Sequence, residues 1–235
     1  MVATLLLFVF MSVGLSSNIN TFNSDICLIF KMASQNIKLI YFTGRGRIEV
    51  SRLILVAAGK QFEDVRLETF TPEHKAKTPF GQLPLLEIDG ETFAQSVAIA
   101  TYLAREFGFY GKTNRDGLRI DQIVQLTQEI LNAGYRAYLF EPDETKKAEL
   151  IRELKEKEFP RYLGYYEKLL RDNGTSYFVG DSLTLADLIV YDVVFAFLQR
   201  GFSTSGFPLV EALYQLVESH PNIKPYVAQR RITPN

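Results

Sequence analysis

Tryptophan is absent from the 235 residues, cysteine occurs once (Cys27), and histidine twice (His74 and His220). A single cysteine excludes an intrachain disulfide framework, a CxxC redox pair and a cysteine zinc cluster. The two histidines lack the spacing of a metal pair, so both read as loop or capping residues and no metal is expected. Neither sign of charge is in excess, with 26 Lys and Arg against 27 Asp and Glu. Nucleic-acid binding draws on a strong positive field, so no nucleic-acid partner is expected. No apolar run reaches the ~20 residues that a membrane-spanning helix needs, and no membrane partner is expected either. Repeats and low-complexity stretches are missing. What remains is 47% hydrophobic and 23% charged, an ordinary globular composition, long enough for one domain or two small ones.

The most apolar N-terminal stretch, residues 2–15 (VATLLLFVFMSVGL), matches a secretory core with small residues at Gly14-Leu-Ser16 for cleavage. No Lys or Arg precedes it, and a second methionine, Met32, stands just before the first real strand. Residues 1–31 are thus a signal peptide (residues 1–16 acting as the signal) or an upstream extension, and in neither case part of the fold. The missing positive charge favours a cytoplasmic protein. In the secreted alternative, Asn173-Gly174-Thr175 would be a glycosylation sequon.

From Ile37 onward the pattern is β-α-β, a loop, then β-β-α. IKLIYF (37–42) reads as a strand, and residues 47–59 as a helix with Val50, Leu53, Ile54 and Ala57 on one face and Gly59 as its stop. FEDVRLE (62–68) is a second strand. LPLLEIDGETFAQ (83–95) is a hairpin turning at Asp89-Gly90, and Ser96 is the predicted N-cap of the next helix. This small α/β unit ends near Gly108, followed by a polar linker, GKTNRDG (111–117). Everything after it is helical. Ile120, Ile123, Val124, Thr127, Ile130 and Leu131 form one apolar stripe. A long helix from about Glu144 to Arg171 should be kinked by Pro160. The most apolar helix opens on a capping box, Thr184 with Asp187, and a staple of Leu183 and Leu188. Shorter helices are predicted around 208–219 and 222–231.

The first strand runs into Thr43-Gly44-Arg45-Gly46-Arg47. This turn lacks the Lys-Ser/Thr of a P-loop and the GxGxxG spacing of a dinucleotide fold. Tyr41 stands at the strand's end, where open α/β sheets place ligands. Gly44 and Gly46 leave room beside it.

Taken together and in order, YFTGRGR (41–47), TPFGQLPLLEIDG (78–90), QSVAIATYLAREFG (95–108) and GDSLTLADL (180–188) resemble a cytosolic-type glutathione S-transferase over residues 36–235, most nearly the sigma class, related to glutathione-dependent prostaglandin D synthase. The resemblance implies a thioredoxin-like glutathione-binding domain over residues 36–112 and an all-helical domain over 116–235 carrying the electrophile pocket. It implies a homodimer with glutathione as co-substrate. A thiol of pKa ~8.5 is mostly protonated at pH 7, and the thiolate is the nucleophile. A tyrosine hydroxyl, donating to sulfur and keeping its own proton, would lower that pKa by roughly one to two units. The resemblance gives this role to Tyr41, with Arg47 adding charge, and leaves Arg45 as a surface residue. For glutathione it implies Lys75 at the glycyl carboxylate, Gln82, Leu83 and a cis Pro84 at the cysteinyl backbone, and Gln95 with Ser96 at the γ-glutamyl end. It adds an acidic residue from the neighbouring subunit; counted from the helix start, that is Glu129. The electrophile pocket is expected around Phe42, Gly44, Gly46, Tyr135 and Tyr138. Phe80 is the expected interface anchor.

Three departures bear on function. Sigma enzymes place a tryptophan four residues before the lysine, where this chain has Thr71. Vertebrate prostaglandin D synthases carry a helix tryptophan and interface acids where this chain has Arg136, Gln125 and Gln128. Crystallin-like structural relatives carry an insertion where Phe140–Glu144 is short. Conjugation of glutathione to small hydrophobic electrophiles is the expected activity. The isomerase and a non-catalytic crystallin-like protein are the alternatives.

Overall fold

The computed structural model describes residues 36–230; the expectations for residues 1–31 fall outside them. Strand β1 (Ile37–Phe42) lies inside a four-stranded sheet of order β2-β1-β3-β4. It pairs in parallel with β2 (Glu63–Leu67) and antiparallel with β3 (Leu85–Ile88), which pairs with β4 (Glu91–Ala94). A parallel pair needs a crossover. A short 3-10 turn (Gly46–Ile48) and helix α1 (Glu49–Ala57) supply it. Alternation along β1 buries Ile37 and Leu39 on the sheet face that, by period two, also carries Tyr41. The hairpin turns at Asp89 (φ 51°) and Gly90 (φ 90°), the two positive φ values that a tight two-residue hairpin requires.

Helix α2 (Pro72–Ala76) is a single turn capped by Thr71 and His74, so His74 is a capping residue, as expected. Helix α3 (Ser96–Glu106) departs from expectation at its start. Ser96 is its first helical residue rather than its N-cap. Gln95 takes the cap position with φ 77°, because the chain turns straight from β4 into the helix. No side chain caps α3, leaving its first N–H groups to an outside acceptor.

Helix α4 (Asn114–Tyr135) begins inside the stretch read as a linker, since Thr113 and Asp116 form a reciprocal capping box there. Two π turns follow in the helical half, at Arg136–Phe140 and Leu154–Glu158. The second separates α5 (Glu144–Glu153) from α6 (Phe159–Asn173). Pro160 has no N–H for the carbonyl of Glu156 and its ring crowds that carbonyl. The turn before it widens, with the Phe159 N–H donating to Leu154, so the predicted kink takes the form of a π turn. Gly174 (φ 70°) ends α6.

Helix α7 (Leu185–Leu198) is the axis of the helical half, buried nearly all round and packed against α1, α3, α4 and α8 (Pro208–Glu218). Its start holds the expected box. The Asp187 carboxylate accepts from the backbone N–H groups of Phe178 (2.9 Å) and Thr184 (2.7 Å) and from the Thr184 hydroxyl (2.8 Å). Burial pushes Asp187 up to about 6 despite these donors. In Asp187→Asn an amide NH2 replaces one accepting oxygen and faces a donor. We expect a loss of about 1–3 kcal/mol, one buried N–H left unsatisfied, read as a lower urea midpoint at unchanged m-value. Helix α9 (Ile223–Gln229) closes the fold against α1.

Candidate functional site

Tyr41 reaches the boundary between the sheet and the helical half. Its hydroxyl accepts a long hydrogen bond (3.4 Å) from the backbone N–H of Arg47. A phenol oxygen already accepting an N–H keeps its own proton for another acceptor. Directly over the ring is Gly46, with φ 46°. A Cβ there would lie 2.6 Å from the Tyr41 hydroxyl and ring. Gly46 thus leaves room for the tyrosine itself.

The two arginines of the turn differ from expectation. Arg45 was expected at the surface but is 8% exposed. It is ion-paired and hydrogen-bonded to Asp192 of α7 and lies 4.4 Å from the Phe195 ring centre. The reason is tertiary: packing of α7 on α1 brings the Asp192 carboxylate to that guanidinium. Arg47 turns its side chain toward α4, donating to Gln128 (3.3 Å) and Asn132 (2.7 Å) and lying 4.6 Å over Tyr135. Its backbone, not its charge, touches the Tyr41 hydroxyl.

The residues assigned to glutathione fall in three groups. Ser96 and Arg47 border one small cavity between the sheet half and the helical half, with Gly46, Gln128 and Asp192. Leu83 and Gln82 precede β3 outside its ladder, and the Leu83–Pro84 bond is cis. Lys75 on α2, Gln82 and Gln95 are exposed. Glu129 stands apart: its carboxylate accepts from the Tyr162 hydroxyl (2.9 Å) of α6 in the same chain. Together with burial, that contact raises Tyr162 to about 12.

A second, larger cavity continues from Gly46 between α4 and α7. Of the residues expected around the electrophile, Gly46, Tyr135 and Tyr138 line this cavity, whereas Phe42 and Gly44 do not. Phe42 packs instead on Tyr41 and Phe70, and the Gly44 carbonyl accepts from Arg52. Burial raises the Tyr135 hydroxyl well above the ordinary phenol range, and Tyr41 adds to the shift. Tyr135 therefore stays a neutral donor beside Tyr41. Sequence reasoning missed Asp192, which borders both cavities, and Arg200. An acid inside the otherwise hydrophobic run LIVYDVVFAFL (188–198) was the available signal for Asp192.

A thioredoxin-like sheet with a tyrosine at the end of its first strand, facing an all-helical half across an open cleft, defines the class. Residues 37–105 match the glutathione S-transferase N-terminal domain, and residues 131–230 the glutathione S-transferase C-terminal domain. Glutathione S-transferase 1 of Ascaris suum is 40% identical over 203 residues, covering 84% of this chain and 98% of the relative. S-crystallin SL11 of Nototodarus sloanii is 38% identical over 200 residues, covering 83% and 97%. Among solved structures, a Nu-class transferase from Haemonchus contortus superposes with a TM-score of 0.75 at 36% identity, covering 86% of this chain and 100% of that one. The chain belongs to the glutathione S-transferase family.

Proposed function

We propose that the protein conjugates the glutathione thiolate to small hydrophobic electrophiles, with the Tyr41 hydroxyl donating to the sulfur. The observation that carries this reading is the Tyr41 hydroxyl, held by the Arg47 N–H beneath Gly46, which borders both cavities. Glutathione would lie along the thioredoxin-like half. Its γ-glutamyl carboxylate would meet the uncapped start of α3 at Gln95 and Ser96, where N–H groups and the helix dipole favour an anion. Leu83 would pair with the cysteinyl backbone as an added strand. Gln82 lies beside it, and Lys75 suits the glycyl carboxylate as a point charge. Arg47 would act by fixing Tyr41 through its N–H and by holding α4 against the turn. The electrophile would occupy the cavity beyond Gly46, against Tyr135 and Tyr138. The test is conjugation of 1-chloro-2,4-dinitrobenzene by the purified protein together with retention on immobilised glutathione. Retention without turnover would favour the crystallin-like reading; no retention would end the transferase reading.

The sigma-like assignment rests on the motifs around Tyr41, Gln95 and Asp187, with Thr71 as the departure. Dimerisation is part of the same reading, with Glu129 offered to the neighbouring glutathione. Phe80 (63% exposed) and Leu118 (62%) are large apolar side chains left at the surface. We expect the wild type to sediment as a dimer and Phe80→Ser as a 26.8 kDa monomer at micromolar concentration, because an interface anchor contributes more than 2 kcal/mol. A monomeric wild type would sink the dimer, and a dimeric Phe80→Ser the anchor.

A further inference from the structure

The turn that carries Gly46 and the Arg47 N–H to Tyr41 has supports of its own. Three consecutive carbonyls of this turn accept from two guanidinium groups. Arg66 Nη1 donates to the Thr43 carbonyl at 2.8 Å. Arg52 Nη1 donates to the Gly44 carbonyl at 3.1 Å and, at the longer distance of 3.4 Å, to that of Arg45. One carboxylate holds both guanidinium groups. Asp64 accepts from Arg52 Nε on Oδ1 at 3.0 Å and from Arg66 Nε on Oδ2 at 2.8 Å. The register of β2 on β1 sets Asp64 beside Leu39 and Arg66 beside Tyr41. By the period of two, both rise from the sheet face that carries Tyr41.

A guanidinium is a planar fork, so bonding one edge to a carboxylate fixes where its other N–H groups point. Asp64 thereby aims Arg52 and Arg66 at the turn. The turn in its place sets Gly46 over the Tyr41 ring and brings the Arg47 N–H to 3.4 Å from the hydroxyl. That bond is long, and a small shift of the turn would break it. Asp64 lines neither cavity. The arginines also have other anchors, since Arg52 meets Glu49 at 3.1 Å, while the Asp64 and Arg66 side chains are about a quarter exposed to water.

We propose that Asp64 is a positioning residue for thiol activation: through Arg52 and Arg66 it holds the Thr43–Arg47 turn so that the Tyr41 hydroxyl is aimed at the glutathione sulfur. This deepens the transferase reading and rests on it. Asp64 touches neither the sulfur nor the electrophile. Charge and position act in opposite directions here. Removing a negative charge would, by its field alone, favour the thiolate and lower the thiol's pKa. Losing the aim of the hydroxyl raises it.

The test titrates the ultraviolet thiolate absorbance of bound glutathione in wild type, Asp64→Asn and Arg66→Lys, and in each combined with Tyr41→Phe. Asp64→Asn turns an amide NH2 toward one of the two guanidinium groups. Arg66→Lys keeps the charge but replaces the fork with a single ammonium. Both single variants should raise the bound thiol's pKa and slow conjugation at pH 7 by about three- to tenfold, less than loss of the hydroxyl itself. The slowing should fade as pH passes ~8.5, where the free thiol ionises unaided. In the Tyr41→Phe background neither change should slow conjugation further, because no hydroxyl is left to aim. A pKa that falls or stays put in Asp64→Asn overturns the proposal, and so does a full additional loss on top of Tyr41→Phe. Should Asp64→Asn not fold, Arg66→Lys decides: an unchanged thiol pKa there overturns the proposal too. If Tyr41→Phe alone leaves the thiol's pKa at its wild-type value, the tyrosine reading has failed and this proposal with it.

Discussion

Replacing Tyr41 with phenylalanine is expected to slow conjugation at pH 7 by roughly ten- to a hundredfold, the effect of one hydrogen bond to a developing thiolate. The fold should survive, because the hydroxyl's contact with the protein is the single long bond from the Arg47 N–H. The ring remains to fill the space under Gly46. Glutathione should still bind through groups elsewhere on the thioredoxin-like half. The defect should shrink as pH rises toward and past ~8.5, where a free thiol ionises unaided. Pre-steady-state conjugation rates across pH 6–9, measured with glutathione saturating, check this. A variant that tracks wild type over the whole range would remove Tyr41 from the chemistry.

Glu49→Gln is expected to produce the largest loss of stability, about 3–5 kcal/mol, the cost of leaving buried cations without their counter-ion. Glu49 opens α1 and is fully buried. Its carboxylate meets Arg52 at 3.1 Å and Arg230 at 2.7 Å and accepts from the Tyr226 hydroxyl at 3.0 Å. The α1 of the sheet half is thereby tied to α9 and the residue just past it. Burial by itself would raise the carboxyl, but Arg230, Arg52 and Arg45 outweigh it and hold it below its ordinary value of 4.5. The folded state therefore binds this proton less readily than the unfolded chain does. Its contribution is present above pH 4.5 and is lost as pH falls through the depressed folded value. Urea unfolding of wild type and variant should differ most at neutral pH and converge in acid. A gap that is constant with pH would show that packing, rather than charge, is what Glu49 supplies.

Legibility in the sequence followed the range of each interaction. The hairpin at Asp89-Gly90, the stop at Gly59 (φ 65°) and the box of Thr184 with Asp187 are made by residues within a few positions of one another. Each occurs as expected. Ser96 was misplaced by one position, because the corner from β4 falls on Gln95 at φ 77°, which composition does not announce. The linker before α4 was read too long because the Thr113–Asp116 box hid among polar residues.

By itself the sequence determined the order of strands and helices, the tyrosine at the end of β1 and the glycine that leaves it space. Periodicity, turn chemistry and capping are local and survive in a string of letters. Tertiary structure decided where the charges went. Arg45 is paired with an acid 147 residues away, and Arg47 is bound by side chains 81 and 85 residues on. The cavity lined by Tyr135, Tyr138 and Arg200 exists only because α7 packs beside α4. A guanidinium's role depends on which acid, ring or cavity the packing sets against it, and no local pattern encodes that choice.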